Sequence, residues 1–364
     1  MRQQSMTARR LLTWLVLSTV LACLALVLLG DPVPHVRSVA QRPLPSTERV
    51  ARPLATASVA AVPVRVPVVP LVPWHGPVEH LFFHPLVLQP ELAFRRDLLG
   101  QGFADYFVTA SEFRGILDGL WTNGWTLVDV HRALTGRVRV PAGRKPLVLS
   151  EDDANYYAYF TGRGLADRLA LDPAGEVRAQ VGAELSDQDL VPMVDAAVRR
   201  HPLLSADGAK GILALTGYQG LLGEHAVATD PGARARVRAL ADRLRATGWT
   251  FASHTYGHIT LAKDSVARIA ADTGHWRRLV GDLLGPVDLL VYPFGSRPSP
   301  LAVAYLSAHG FPYQFDIDVR ARLVRQQGAL VMARRHVDGF AFAVPGRLEP
   351  FFDVAAVRDP ERPR

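Results

Sequence analysis

The sequence holds a single cysteine in 364 residues, Cys23. The rest of the chain therefore has neither a disulfide nor thiolate chemistry. No dense Lys/Arg run is interleaved with aromatics, as a nucleic-acid surface would need, and the arginines are scattered over helix-like segments such as 234–245. Nucleic acid is not an expected partner. No internal repeat is apparent. Charged residues make up 21% of the chain against 49% hydrophobic, which excludes a disordered polyelectrolyte and leaves a globular protein. The formal net charge of +7 would suit an anionic envelope polymer or membrane surface; a solvated basic surface is the simpler reading. The length has room for one domain of roughly 200–250 residues with an appendage, or for two smaller domains.

The N-terminus carries the first positive signal. Arg2, Arg9 and Arg10 precede an uncharged, mostly apolar run from Leu11 to Leu29 that ends at Gly30-Asp31-Pro32. The run approaches the length needed to span a bilayer and is long for a signal peptide. The pattern predicts a cytoplasmic basic segment at 1–10 and an uncleaved transmembrane anchor at 11–29, with the rest exported; a cleaved, secreted form is the alternative. Val20-Leu21-Ala22-Cys23 loosely resembles a lipobox, but the apolar stretch continues past Cys23, which is wrong for a lipoprotein start. Residues 31–78 are rich in Pro, Val, Ala and Arg without helical or alternating period, and read as a semi-rigid stalk. The expected location is the cell membrane, with the folded part outside the cytoplasm.

From Glu79 short apolar runs alternate with amphipathic stretches. Strands are expected at 80–88, 125–130, 145–149, 211–215, 249–253, 287–292, 311–315 and 330–333, the last being the final strand. Helices are expected at 111–123, with Ser111 as N-cap, and at 189–200, 231–246, 262–284 and 300–308. Residues 169–181 read as two short strands about the turn Asp172-Pro173-Ala174-Gly175. This alternation implies an α/β fold with a parallel sheet or barrel over 79–345, followed by a C-terminal tail at 346–364.

Three polar clusters each follow an apolar strand. Leu147-Val148-Leu149 runs into Ser150-Glu151-Asp152-Asp153, Trp249-Thr250-Phe251 into Ser253-His254-Thr255-Tyr256-Gly257-His258, and Leu289-Leu290-Val291 into Tyr292-Pro293-Phe294-Gly295. In α/β folds the C-terminal strand ends build the site. His254 and His258 are four apart, so one helical turn or compact loop can aim both imidazoles at one point. Two histidines and one carboxylate leave a coordination position open, as in a catalytic zinc site. The carboxylate is Asp152 or Asp153. Both can share the site only if the strand pleat breaks there, leaving one as ligand and the other as base.

These residues resemble, in order, the first three motifs of the polysaccharide deacetylase (NodB-homology, carbohydrate esterase) family: Ser-Glu-Asp-Asp-Ala at 150–154, His-Thr-Tyr-Gly-His at 254–258 and Tyr-Pro-Phe-Gly at 292–295. The resemblance spans roughly 79–344 and implies a distorted (β/α) barrel. It implies Asp152 as general base and Asp153, His254 and His258 as ligands of one divalent ion, zinc by default with cobalt or nickel able to substitute. It implies the backbone N–H of Phe294 as oxyanion donor and Tyr292, Pro293 and Gly295 as substrate-facing residues. His336, in Ala333-Arg334-Arg335-His336-Val337-Asp338, is the candidate general acid, with Asp316 and Asp318 as residues that could orient it. The implied partner is an acetylated polysaccharide, from which N-acetyl or O-acetyl groups are removed, and the expected oligomeric state is a monomer.

The departures are specific. Glu151 and Ala154 stand where the family has an aromatic and a glycine. Val291 stands where it often carries arginine, so a charged orienting contact is expected to be missing. The stretch between the first two motifs is longer than usual and includes the loop Thr216-Gly217-Tyr218-Gln219-Gly220, which either caps the groove or is structural elaboration. His84 is read as structural, and Tyr156, Tyr157 and Tyr159 as core, with stacking on sugar rings as the alternative for the three tyrosines. Two alternatives stay open: a carbohydrate-binding scaffold of the same fold that has lost catalysis, and a metal-dependent amidase acting on another substrate. A two-metal phosphoesterase would need a second ligand set at the strand ends, and no convincing one is present.

Overall fold

The computed structural model describes residues 69–363, all within one unit, Pro67–Arg364. The predicted segments 1–10 and 11–29, and the predicted stalk at 31–78 up to residue 68, lie outside the described residues. Among the described residues no helix is long and apolar enough to cross a membrane.

Seven strands close into a parallel barrel: β1 (Glu79–Phe83), β2 (Lys145–Glu151), β3 (Gly211–Leu215), β4 (Trp249–Ser253), β5 (Leu289–Val291), β6 (Tyr313–Ile317) and β7 (Ala329–His336). Each pairs with the next in sequence, and β7 pairs with both β6 and β1, so the barrel has no open edge. Along each strand one parity faces inward. The barrel interior holds Val148, Ile212, Ala214, Ala252, Leu289, Val291, Phe315 and Met332. The opposite parity, including Leu147, Leu149, Leu213, Leu215 and Phe251, packs outward against helices. Each such side chain contributes about 1.5–3 kcal/mol by leaving water.

The connecting helices are α1 (Leu98–Tyr106), α2 (Ala110–Thr122), α3 (Leu190–Arg200), α4 (Pro231–Ala246), α5 (Val266–Trp276) and α6 (Pro300–Ala308). Helix α4 illustrates the local logic. Asp230 caps its first amides, Pro231 fits the first turn, and Ala233, Val237, Leu240, Ala241 and Leu244 form its one buried stripe. Gly248, at φ 99°, then turns the chain into β4.

Several boundaries differ from expectation. Helix α2 is capped by Thr109, not Ser111, because Glu112 completes a reciprocal capping box with Thr109 while the Ser111 hydroxyl goes to Asp359. The expected helix 262–284 begins only at Ser265, whose hydroxyl caps it, and passes through a wider turn at Arg277–Gly281. The expected strand 125–130 stops at Leu127, since Asp129 caps a short helix, Val130–Leu134. The predicted hairpin is present as Arg168–Leu171 and Val177–Val181, its turn held by Asp172, with a third strand at Glu184–Ser186. An unexpected strand, Leu323–Gln326, runs antiparallel to β7. Residues after 345 pack onto the domain: Leu348, Phe351, Phe352 and Val354 are buried, and Arg362 pairs with buried Glu112.

Candidate active site

The chain leaves regular strand geometry at the C-terminal end of β2. Asp152 still donates its amide to Phe83 of β1, but Asp153 adopts φ 57°. The pleat therefore breaks between the two aspartates, and both reach the mouth of the barrel. After β4 the loop 254–258 is held from two sides. The Asp272 carboxylate of α5 accepts from the amides of Tyr256 and Gly257 at 2.7 and 2.8 Å, and the Thr255 hydroxyl accepts from the Ile259 amide. Thr255 and His258 take left-handed φ values of 59° and 49°. Non-glycine residues in that region cost free energy, and their concentration at Asp153, Thr255, His258 and Phe294 marks a functional constraint.

This geometry brings Asp153, His254 and His258 together, with one potential ligand atom from each lying within 4.8 Å of the others. The Nε2 atoms of His254 and His258 lie 4.0 and 3.7 Å from Asp153 Oδ1. Ligands at about 2.1 Å around a tetrahedral ion are about 3.4 Å apart, so a small divalent ion fits with slight contraction. The donor set is also prepared chemically. His254 Nδ1 lies 3.1 Å from the Val291 carbonyl, which can only accept, so Nδ1 carries a proton and Nε2 is the nitrogen turned to Asp153. Burial lowers the pKa of His258 to about 4, which keeps that imidazole neutral. Burial pushes the Asp153 carboxyl up, but His258, His254, His84 and the Tyr157 hydroxyl outweigh it and hold it below its usual range. Among the described residues this is the one such group that could hold a metal.

Asp152 stays out of the triad. Arg334, from β7, donates to its two oxygens at 2.6 and 2.9 Å and to Ser150 Oγ at 3.2 Å, and His80 Nε2 meets the same hydroxyl at 2.9 Å. The guanidinium is buried and stacks 4.3 Å over Phe82. Burial raises the Asp152 pKa, but Arg334 and His254 more than offset it, and the carboxyl sits at about 2. The charged contact expected to be missing at Val291 is thus present, supplied from another strand.

His84, expected to be structural, stands one residue beyond β1 at the mouth. It is close enough to both aspartates and to His258 to bias their protonation. Its Nδ1 donates to the Tyr106 carbonyl at 3.0 Å, and its ring stacks on Phe107 at 5.2 Å. His336 lies across Phe82 from it, at 6.3 Å from that ring, and is oriented by Asp338 at 2.8 Å. Asp316 and Asp318 do not orient it. Both are engaged by Arg297 and Arg322.

In the third motif, Phe294 sits at φ 58° with its ring 4.4 Å from His258. Gly295, at φ 61°, is required because a Cβ there would meet Ile317 at 2.8 Å. Tyr292 does not face a substrate as expected: its ring is buried and its hydroxyl donates to Gln314. Pro293 is buried as well. Tyr157, expected as plain core, donates its hydroxyl to Asp153 at 2.6 Å. Arg334 shares strand parity with His336, two residues on, and that parity was the available signal for it. Asp338, at the same spacing beyond His336, was equally readable.

No family model and no curated protein matches the chain. Among solved structures it is similar to the Streptococcus pyogenes deacetylase PplD in complex with acetate, at TM-score 0.47 and 14% identity, over 72% of this chain and 93% of that one. It is similar to a de-N-acetylase from Aggregatibacter actinomycetemcomitans at TM-score 0.45 and 14% identity, over 72% and 96%. It is also similar to the BpsB deacetylase domain from Bordetella bronchiseptica at TM-score 0.40 and 13% identity, over 72% and 96%. Likenesses of this degree do not bear on chemistry, which rests on the site itself.

Proposed function

We propose that the chain is a divalent-metal-dependent hydrolase that removes acetyl groups from an envelope or extracellular polysaccharide. One observation carries this reading: two imidazoles and Asp153 converge at the barrel mouth, while Asp152 stands beside them, ionised and held by Arg334. Asp153, His254 and His258 would hold the ion. When bound, it would supply Lewis acidity toward the acetyl carbonyl and lower the pKa of water.

The residues around it have separable tasks. Asp152 accepts the proton of the attacking water. Its low pKa makes it a weak base but keeps it ionised and correctly oriented, because both oxygens are fixed. The backbone amide of Phe294, in the left-handed turn beside His258, is the candidate donor to the oxyanion. His84 is the preferred proton donor to the departing amine. Its Nδ1 is committed to Tyr106, which leaves Nε2 to carry the exchangeable proton. His336, braced by Asp338, is the alternative donor. In this reading the chain is a monomer held at the membrane by residues 11–29, with the barrel outside the cytoplasm.

Acetate release from N-acetylated chito-oligosaccharides and from peptidoglycan, with and without chelator, tests the proposal. Wild type should release acetate, and Asp152→Asn and His254→Ala should not. Release that survives chelation removes the metal-dependent reading.

A further inference from the structure

Three tyrosines beside the metal triad have no task in the chemistry above. Tyr157 is buried, hydrogen-bonded to Asp153 and 3.0 Å from the Thr216 hydroxyl. Tyr159 stacks on it at 5.4 Å with planes 16° apart, and Tyr218 packs against it at 5.3 Å and 30°. Tyr159 and Tyr218 are only partly buried. The loop that carries Tyr218 is fastened to both metal-binding loops. Asn155 bonds the Thr216 amide and carbonyl and the Gly220 carbonyl, at 2.9, 3.0 and 2.7 Å. The amides of Gly217 and Tyr218 both donate to the Tyr256 carbonyl, between the two histidines. Gly217 permits this closeness, since a Cβ there would lie 2.1 Å from the Tyr256 ring. The rings are thus set rigidly against the triad, and an ordered, partly exposed aromatic face beside a reaction centre is a feature of ligand sites.

We propose that Tyr159 and Tyr218 form a sugar subsite that takes a pyranose ring next to the reacting residue. The C–H face of a pyranose presents weakly positive hydrogens, which the negative face of an aromatic ring attracts, and both surfaces leave water on stacking. Tyr157 links the subsite to the metal ligand through its hydroxyl, so the stack fixes the spacing between a bound sugar and Asp153. The inference rests on the polysaccharide reading above. It adds that the substrate is an oligomer engaged at more than one sugar.

The test is the affinity of the full chain, carrying Asp152→Asn to prevent turnover, for the N-acetylglucosamine tetramer, read by titration calorimetry. Tyr218→Leu and Tyr159→Leu should each weaken binding about tenfold or more, roughly 1.4 kcal/mol, while Tyr218→Phe, which keeps the ring, should bind better than Tyr218→Leu. Leucine variants that bind as tightly as their parent overturn the proposal, leaving the stack as a brace for Asp153. Should those variants fail to fold, wild type decides: saturating the tyrosine ring protons should transfer magnetisation to one face of the bound sugar, and absence of transfer overturns the subsite. Tyrosine-dependent binding without acetate release would keep the subsite and remove the deacetylase reading. Acetate release with unaffected leucine variants would do the reverse.

Discussion

Arg334 grips Asp152 with two guanidinium nitrogens in a buried pair, and the two residues are 182 positions apart. The pair decides the charge of Asp152. Its folded pKa of about 2 lies below the ordinary 3.8, so the ionisation of Asp152, favoured by Arg334, His254 and His84 together, contributes about 2 kcal/mol of stability above pH 4, lost as the pH falls through about 2. Arg334→Met should cost about 3–5 kcal/mol, because it strands a buried carboxylate. It should also move the acid limb of acetate release upward, since burial then dominates. Thermal melts and a pH–rate profile check both outcomes.

The two mouth histidines outside the triad make a second test. If His84 protonates the leaving amine, His84→Ala should lower kcat on the amide substrate on the order of 100-fold or more. His336→Ala should do less. An activated ester, whose leaving group needs no proton, should be far less sensitive to His84→Ala. The reverse order of the two variants would assign the acid to His336.

Glu151 offers a test by stability alone. It is buried on the outer face of β2, neither carboxyl oxygen has a hydrogen-bond partner, and burial, then Asp189, Asp152 and Asp153, push its pKa well above 4.5. The folded chain therefore keeps this proton where the unfolded chain loses it. Stability should fall as pH rises above 4.5, by up to about 1.4 kcal/mol per pH unit until the folded group titrates. Glu151→Gln should match wild type near pH 4 and be the more stable protein at pH 8, as urea titrations at the two pH values would reveal.

At the far end of the chain, Arg362 donates to both oxygens of buried Glu112 at 2.6 Å and to the carbonyls of Ala104 and Phe107. Those carbonyls flank Tyr106, whose own carbonyl fixes His84. Arg362→Ala should cost about 3–5 kcal/mol by stranding Glu112, seen as a lower Tm. It should also impair the amide reaction through His84.

Much of this architecture is legible in the sequence where an apolar run is bracketed by Gly, Pro or a capping side chain. Strands 211–215 and 249–253 and helices 231–246 and 300–308 coincide with their predicted limits. Limits failed where competing signals overlapped, as with Thr109 against Ser111. In the site, the aspartate pair and the histidine pair could be read because each is local. Arg334 was legible only by its parity with His336, and its partner was not, since that contact is set by barrel closure between β7 and β1 and no local spacing encodes it. Tyr157 was missed for a related reason. A buried ring satisfies the pattern of a core residue, and only the fold reveals that its hydroxyl touches a metal ligand.

The most direct measurement is a calorimetric zinc titration of the purified chain beside His258→Ala and Asp153→Ala. The expected result is one ion per wild-type chain and strongly weakened binding in each variant, with the fold intact by circular dichroism. Zinc binding unchanged in both variants, or none in the wild type, would contradict the convergence of these residues on one cation.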